Sequence, residues 1–226
     1  MKRYSIITFI LLLATSSSLY AKTSGPRIWL GLGAGYSNGG GGAVEISALN
    51  LTPSFPLGLH FSVGYFRQDD PGLAVNARQI FINDTTTGND NILEYGYNIF
   101  FRLDFSYPVV QKKRFTLAPF LGVAHVRYLA HFDYQGGNEA FNVTTNPWGV
   151  GGGVRFSFQL SKNTMLILNG GLDYFFESQI SAHGNFYNPD GVDDNPRDPY
   201  VYADADESIK QPVWNPKITL SIAFRL

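Results

Sequence analysis

The chain has 226 residues, a formal net charge of -1, 15% charged residues and no cysteine. Without a basic surplus it is not expected to bind nucleic acid, and without cysteine it has neither disulfides nor thiolate metal sites. It is rich in glycine and aromatic residues. Beyond residue 21 no apolar run is long enough for a transmembrane helix.

The N-terminus has the features of a secretory signal peptide. Residues 1–3 form a short basic region, which is followed by an apolar run from Ile6 to Ala14. A stretch of small or polar residues then ends at Ala21. This run is shorter than the roughly 20 residues of a membrane-spanning helix, which disfavours an uncleaved anchor. We expect residues 1–21 to be removed and residues 22–226 to form one domain.

From Arg27 onward, apolar and polar side chains alternate with a period of two, as in strands that have one apolar face. The segment from Leu93 to Tyr107 is the clearest, because every odd-numbered residue in it is apolar or aromatic. Most segments reach the roughly 9 to 11 residues that a tilted strand needs to cross a bilayer. The eight predicted strands are residues 27–36, 43–51, 57–66, 93–107, 115–132, 148–160, 165–176 and 217–226.

Two of the eight segments are irregular. In residues 43–51 we expect a bulge near Leu49, because the alternation weakens there. In residues 115–132 the apolar positions change phase between Val123 and Val126. This change predicts a slip of the register within that strand.

The connections alternate in length, which gives an orientation. Short turns at residues 52–56, 108–114 and 161–164 share one end of the predicted barrel. The other end carries residues 37–42, 68–91, 133–147 and 177–213, all but the first of which are long. Outer-membrane barrels have short periplasmic turns and long external loops, so we expect both termini to be periplasmic.

Residues within the first long loop and at the strand ends give two further expectations. Val75, Ile80, Phe81 and Ile82 lie among polar residues and predict a small hairpin above the membrane.

Aromatic residues near the strand ends share the phase of the apolar face, as expected for rings at the two membrane interfaces. The outer ring is Tyr36, Tyr65, Tyr95, Trp148, Tyr174 and Trp214, and the inner ring is Tyr107, Phe115, Phe158 and Phe224.

Two short motifs carry a family resemblance. Leu220, Ile222, Phe224 and Leu226 alternate up to the last residue and resemble the signal read by the barrel-assembly machinery. Residues 118–124 resemble the proline-aromatic-glycine strand start of such barrels. The chain is therefore similar, over nearly all of residues 22–226, to the small transmembrane barrels of the outer membrane protein A and X families.

This resemblance implies a fold, a location and a set of partners. The fold is all-β, an eight-stranded antiparallel up-and-down transmembrane barrel in the bacterial outer membrane. The implied partners are outer-membrane lipid, lipopolysaccharide and the barrel-assembly machinery, with an extracellular ligand at the loops, and no cofactor is expected.

Charged residues on the inward face are the first candidate site. An eight-stranded interior is just wide enough for side chains to fill it, so we expect these charges to pair in a closed network. The alternative is a narrow gated pore in which Arg102 or Glu94 changes partner. The predicted lumen set is Glu45, His60, Glu94, Arg102, Asp104, Arg155, Asp173, Lys217 and Arg225.

The external loops are the second candidate site. His125, His131 and His183 lie near the external end, but no pattern pairs them with a nucleophile, so we predict no enzyme. The acidic residues 188–207 suggest either a solvated loop or a Ca²⁺ site, although they lack the spacing of an EF-hand. Two functions remain open: a barrel displaying loops for structural, ligand or host interaction, and a narrow porin-like channel for small solutes.

Overall fold

A computed structural model describes residues 26–52, 55–68, 70–82, 92–134 and 139–226. The predicted signal peptide, residues 1–21, lies outside the described residues. The strands are β1 (Arg27–Ser37), β2 (Gly40–Leu49), β3 (Gly58–Gln68), β4 (Ile92–Ser106), β5 (Val110–Gln111), β6 (Phe115–Tyr134), β7 (Glu139–Thr145), β8 (Trp148–Gln159), β9 (Thr164–Phe175), β10 (Ile180–Ala182), β11 (Asn185–Tyr187) and β12 (Trp214–Arg225). The helices are α1 (Ala74–Ile82) and α2 (Tyr202–Glu207).

Eight of these strands form a closed antiparallel barrel. The order around the sheet is β6, β4, β3, β2, β1, β12, β9 and β8, and pairing of β8 with β6 closes it. The predicted eight-stranded antiparallel barrel is therefore confirmed. Its outer surface carries large apolar side chains that remain about half exposed, including Leu32, Phe105 and Ile218. Such a continuous apolar belt is stable against lipid but not against water.

The two segments whose alternation is irregular in the sequence form regular strands, β2 and β6, in the structure. Pairing of β2 with β1 runs without interruption from Leu49 to Gly40, so the expected bulge is absent. Pairing of β6 with β4 is also continuous, from Phe120 to Tyr134, so the predicted register slip is wrong. Even-numbered residues of β6 point inward along its whole length.

What changes along β6 is the environment on each side of the strand. Up to Val123 the outward residues are apolar, whereas beyond it His125, Arg127 and His131 take the outward positions. The inward positions become apolar over the same stretch, for example at Val126 and Phe132. This inversion is the pattern of a water-exposed protein with a core, and it marks where β6 leaves the membrane.

The residues beyond the point at which β6 leaves the membrane form a folded unit. We call this unit the cap and define it as residues 70–82, 126–134, 139–145 and 180–211. The upper part of β6 pairs with β7, β7 with β10, and β10 with β11. The loop expected to form a hairpin contains α1 instead, and residues 83–91 of that loop lie outside the described residues. Neither described helix is long and apolar enough to cross a membrane.

The cap has its own hydrophobic core at the mouth of the barrel. It includes both helices, the upper half of β6, and strands β7, β10 and β11. The buried residues of this core that lie in the cap are Ala74, Ala77, Ile80, Phe81, Val126, Tyr128, Ala130, Phe132, Tyr134, Phe141, Val143, Ile180, Ala182, Tyr187, Ala205 and Ile209. In the membrane-spanning part, by contrast, the described residues form a smaller buried group near the opposite end, around Trp29 and Ile167.

Candidate functional site

An upper ion cluster crosses the barrel interior below the cap. Arg102 donates from Nε to Asp104 Oδ2 at 2.7 Å and from Nη1 to Asp173 Oδ1 at 2.6 Å. Lys217 donates from Nζ to Asp173 Oδ2 at 2.8 Å. The ring centroid of Phe120 lies 5.6 Å from the Arg102 guanidinium carbon and 5.4 Å from Lys217 Nζ. Two cations and two carboxylates thus balance one another's charge within the lumen, and the aromatic face of Phe120 contacts both cations.

Glycines leave room for the two carboxylates of the upper ion cluster. A Cβ atom at Gly122 would lie 2.1 Å from Asp104 Oδ1, and a Cβ atom at Gly151 would lie 1.8 Å from Asp173 Oδ1. Both distances are far shorter than a van der Waals contact allows. The inward glycines therefore provide the space in which the ion pairs form.

A lower polar cluster lies nearer the end that carries the chain termini. Glu45 pairs with Arg155 and accepts a hydrogen bond from Ser47 Oγ at 2.5 Å. His60 lies between two hydroxyls, with Nδ1 2.8 Å from Ser47 Oγ and Nε2 2.7 Å from Ser106 Oγ. His60 and Ser106 are buried. The cluster therefore crosslinks strands β2, β3, β4 and β8 from inside.

The structure brings seven of the nine predicted lumen residues into these two clusters. Glu94 and Arg225 lie elsewhere and are exposed, so their assignment to the lumen network is wrong. Glu94 pairs with Phe132 above the membrane, and Arg225 pairs with Trp29 at the opposite end of the barrel. Periodicity places both residues in the inward phase, but each strand extends beyond the enclosed part of the lumen.

Three small cavities lie between the side chains inside the described barrel. Their volumes are about 100 Å³ at the terminus end, about 50 Å³ in the middle and about 20 Å³ below the cap. Arg155 lines both the first and the second, and Arg102 and Lys217 line both the second and the third. These three side chains therefore lie between neighbouring spaces, each of which is large enough for ordered water, for which roughly 10–15 Å³ suffices.

Hydrogen bonds between distant segments hold the cap together. The phenol of Tyr128 donates to the Pro71 carbonyl at 2.6 Å. The Phe81 carbonyl, at the end of α1, accepts from Asn185 Nδ2 and Arg197 Nε, each at 3.1 Å. These donors satisfy a helix end that would otherwise be left unpaired.

One charged pair, one buried tyrosine and one half-buried tyrosine also belong to the cap. Arg78 is buried, donates from Nε to Glu139 Oε2 at 3.0 Å and lies over the ring of Tyr134 at 4.4 Å. Burial raises the pKa values of Tyr187 and Tyr202 above the ordinary tyrosine value. Both phenols therefore stay neutral at pH values at which an exposed tyrosine begins to ionise.

The acidic loop uses its carboxylates to cap backbone turns. Asp190 accepts from the Val192 amide at 3.0 Å, and Asp193 accepts from the Asn188 amide at 2.6 Å. Within the described ranges, no group of three or more histidine, aspartate or glutamate side chains is placed to hold a metal ion. The acidic loop is thus organised by hydrogen bonds among its own residues.

The histidines predicted near the loops contact rings and an amide. His131 lies 2.7 Å through Nδ1 from Asn142 Oδ1, and His125 packs against Trp148 with the ring centroids 4.7 Å apart. His183 packs edge-on against Phe141. Sequence reasoning missed the serines around His60 as network members, although Ser47 and Ser106 both occur in the inward phase of their strands.

A closed eight-stranded sheet with a lipid-facing apolar surface and a charged, side-chain-filled interior defines an integral outer-membrane β-barrel. No family model and no curated protein matches the chain. Among solved structures, it is similar to a major outer membrane protein from Thermus thermophilus, with a TM-score of 0.71 and 25% identity over 90% of this chain and 100% of that chain.

Two further solved structures match with lower similarity. Neisserial surface protein A has a TM-score of 0.38 and 12% identity, over 90% of this chain and 98% of that chain. The attachment invasion locus protein of Yersinia pestis has a TM-score of 0.44 and 11% identity, over 90% of this chain and 100% of that chain. At these TM-scores, the two proteins carry no inference about the activity of this chain.

Proposed function

We propose that this protein is a non-enzymatic outer-membrane barrel whose cap binds ligands or host molecules on the outside of the cell. The main support for this proposal is that the long loops pack into a core of their own over one mouth of the barrel. A folded surface held by a rigid scaffold keeps its shape when a ligand or host molecule binds, which reduces the entropy cost of binding.

The lumen supports this reading over that of a channel. Every carboxylate of the two clusters has a cationic partner, and the three interior cavities are small. A conducting pore needs a continuous hydrated path. Single-channel recording in planar bilayers tests the point: we expect no discrete openings, and reproducible openings of the wild-type protein would establish the porin-like alternative.

The proposed placement has the cap outside the cell and both termini in the periplasm. Lipopolysaccharide then surrounds the rim below the cap. The barrel-assembly machinery would read Leu220, Ile222, Phe224 and Leu226, which are exposed along the outer face of β12.

The orientation can be tested directly because the chain contains no cysteine. A single cysteine in place of Val192, which is 73% exposed in the cap, should react with a membrane-impermeant maleimide on intact cells. A matched cysteine in place of Lys162, in the exposed turn at the other end, should react only after the outer membrane is permeabilised. The opposite pattern would reverse the orientation.

A further inference from the structure

A cleft at the outer rim lies outside the lumen and the cap core. It has a volume of about 470 Å³ and opens between the β1–β2 turn, the end of β3 and the segment that leads into β12. This volume falls within the range of about 300–1,000 Å³ that is typical of small-ligand sites.

The apolar part of the cleft consists of two aromatic rings together with Pro212 and Val213. Tyr36 is 54% exposed and Trp214 is 61% exposed, and both line the cleft. Tyr36 pairs with Ile218, four residues along β12 from Trp214, so the two backbone positions are roughly 13 Å apart along the strand. Ser37 and Asn215, the neighbours of the two aromatic residues, hydrogen-bond to each other at 2.8 Å and fix this spacing.

Polar groups also line the cleft. Asp70 and Lys210 form an ion pair, and both remain more than half exposed. Gln68 is only 4% exposed, and its Oε1 has no hydrogen-bond partner among the described residues. Gln211 also lines the cleft. The cleft thus offers a carboxylate, an ammonium group and side-chain amides beside two exposed rings.

From this combination we propose that the cleft binds a saccharide. A pyranose ring has an apolar C–H face that packs on an aromatic ring and a hydroxyl edge that both donates and accepts hydrogen bonds. A purely apolar ligand would bury the Asp70–Lys210 pair without replacing its hydration. A phosphate would meet a lysine that is already paired with a carboxylate.

The position of the cleft indicates which saccharides can reach it. Tyr36 and Trp214 share the outward phase of Ile218 and Leu220, so the cleft opens at the edge of the apolar belt, at the level of the lipid headgroups. If the cap is external, as proposed above, the sugar part of an outer-leaflet glycolipid lies directly beside it. The same chemistry would accept a free oligosaccharide from solution.

Gly40 provides a way to fill the cleft without disturbing the barrel. It lies opposite Tyr36 and lines the cleft, its φ is not positive, and a Cβ atom there would meet nothing within 4 Å. Gly170 is a matched control, because a Cβ atom there would also meet nothing within 4 Å, and it does not line the cleft. Phenylalanine at either position adds the same side chain to the outer surface.

The test uses the full mature protein labelled with 5-fluorotryptophan in phosphatidylcholine nanodiscs. Its three tryptophans, Trp29, Trp148 and Trp214, give three fluorine resonances, assigned by Trp→Phe variants. One arm adds lipopolysaccharide to the nanodisc and the other adds the delipidated core oligosaccharide to the solution. We expect both probes to shift the Trp214 resonance, while that of Trp29, inside the barrel, stays in place.

We expect Gly40→Phe to weaken saccharide binding at least about tenfold, whereas Gly170→Phe should bind as the wild type does. Tyr36→Leu, which keeps an apolar side chain at the membrane edge, should also weaken binding. The heat-dependent gel shift checks that each variant folds.

The proposal is overturned if neither probe moves the Trp214 resonance, or if folded Gly40→Phe titrates as the wild type does. It is also overturned if lipopolysaccharide moves this resonance while the free oligosaccharide does not at any concentration, because the contact is then with the lipid part. Nanodiscs carry lipopolysaccharide in both leaflets, so a reversed orientation in cells would not affect this result.

Discussion

Replacing Phe81 with alanine should loosen the cap and leave the barrel intact. The Phe81 side chain is fully buried at the end of α1, and its ring meets that of Tyr187 edge-on at a centroid distance of 5.6 Å. Truncating a buried phenylalanine to alanine costs about 3–5 kcal/mol, because apolar contacts are lost and a cavity remains.

This loss should appear as local opening of the cap. The barrel strands have their own closed hydrogen-bonded pairing, so their stability does not depend on the Phe81 ring. A cost of about 3–5 kcal/mol corresponds to amide hydrogen exchange that is faster by roughly two to four orders of magnitude in α1, β10 and β11. Exchange in β1, β9 and β12 should not change, and the heat-dependent gel shift should be retained.

Val75 gives the matched control within the same helix. Its side chain is 43% exposed, so Val75→Ala should alter the opening free energy of the cap by less than about 0.5 kcal/mol. Unchanged exchange of α1 in Phe81→Ala would refute the view that the loops share one core. Loss of the barrel together with the cap would refute their independence.

Two further predictions concern the lumen and the response of the cap to pH. Arg102→Ala leaves the buried carboxylates of Asp104 and Asp173 without this partner. It should lower the free energy of unfolding by about 3–5 kcal/mol, measured by urea unfolding from liposomes. An unchanged urea midpoint would show that the ion pairs are dispensable. The raised pKa values of Tyr187 and Tyr202 mean that the unfolded chain loses these protons first, so cap stability should fall as pH rises above 10.0. Tyrosinate absorbance should show a late-ionising fraction that decreases in Tyr187→Phe, and a single ionisation step at the ordinary pKa would contradict this assignment.

The barrel could be predicted from the sequence because lipid and lumen impose opposite polarity on alternate residues. That period identifies the face of a side chain but not its height along the strand. For this reason the period predicts lumen positions for Glu94 and Arg225, although both lie beyond the enclosed part of the barrel. On β6, the exchange of polarity between the two faces looked like a change of register, because sequence alone does not show where the membrane ends.

The cap could not be predicted because its partners are far apart in the chain. Val75, Ile80, Phe81 and Ile82 fit a hairpin as well as a helix by composition. The helix end is satisfied by Asn185 and Arg197, which lie 104 and 116 residues from Phe81 in the sequence. Pairings such as Arg102 with Asp173, 71 residues apart, also depend on how the barrel closes.

The polarity inversion on β6 has a consequence for the membranes that suit this barrel. The outward apolar stretch runs from Phe115 to Val123, and Trp148 lies beside His125 at its upper limit. The path from Phe115 to His125 is roughly 33 Å along the strand, which at a tilt of about 35–45° gives a hydrophobic height of roughly 25 Å. A bilayer with a hydrocarbon core of about 30 Å would have to thin around the barrel or draw Arg127 into its acyl chains. Hydrophobic mismatch therefore favours a thin outer membrane over a thicker bilayer.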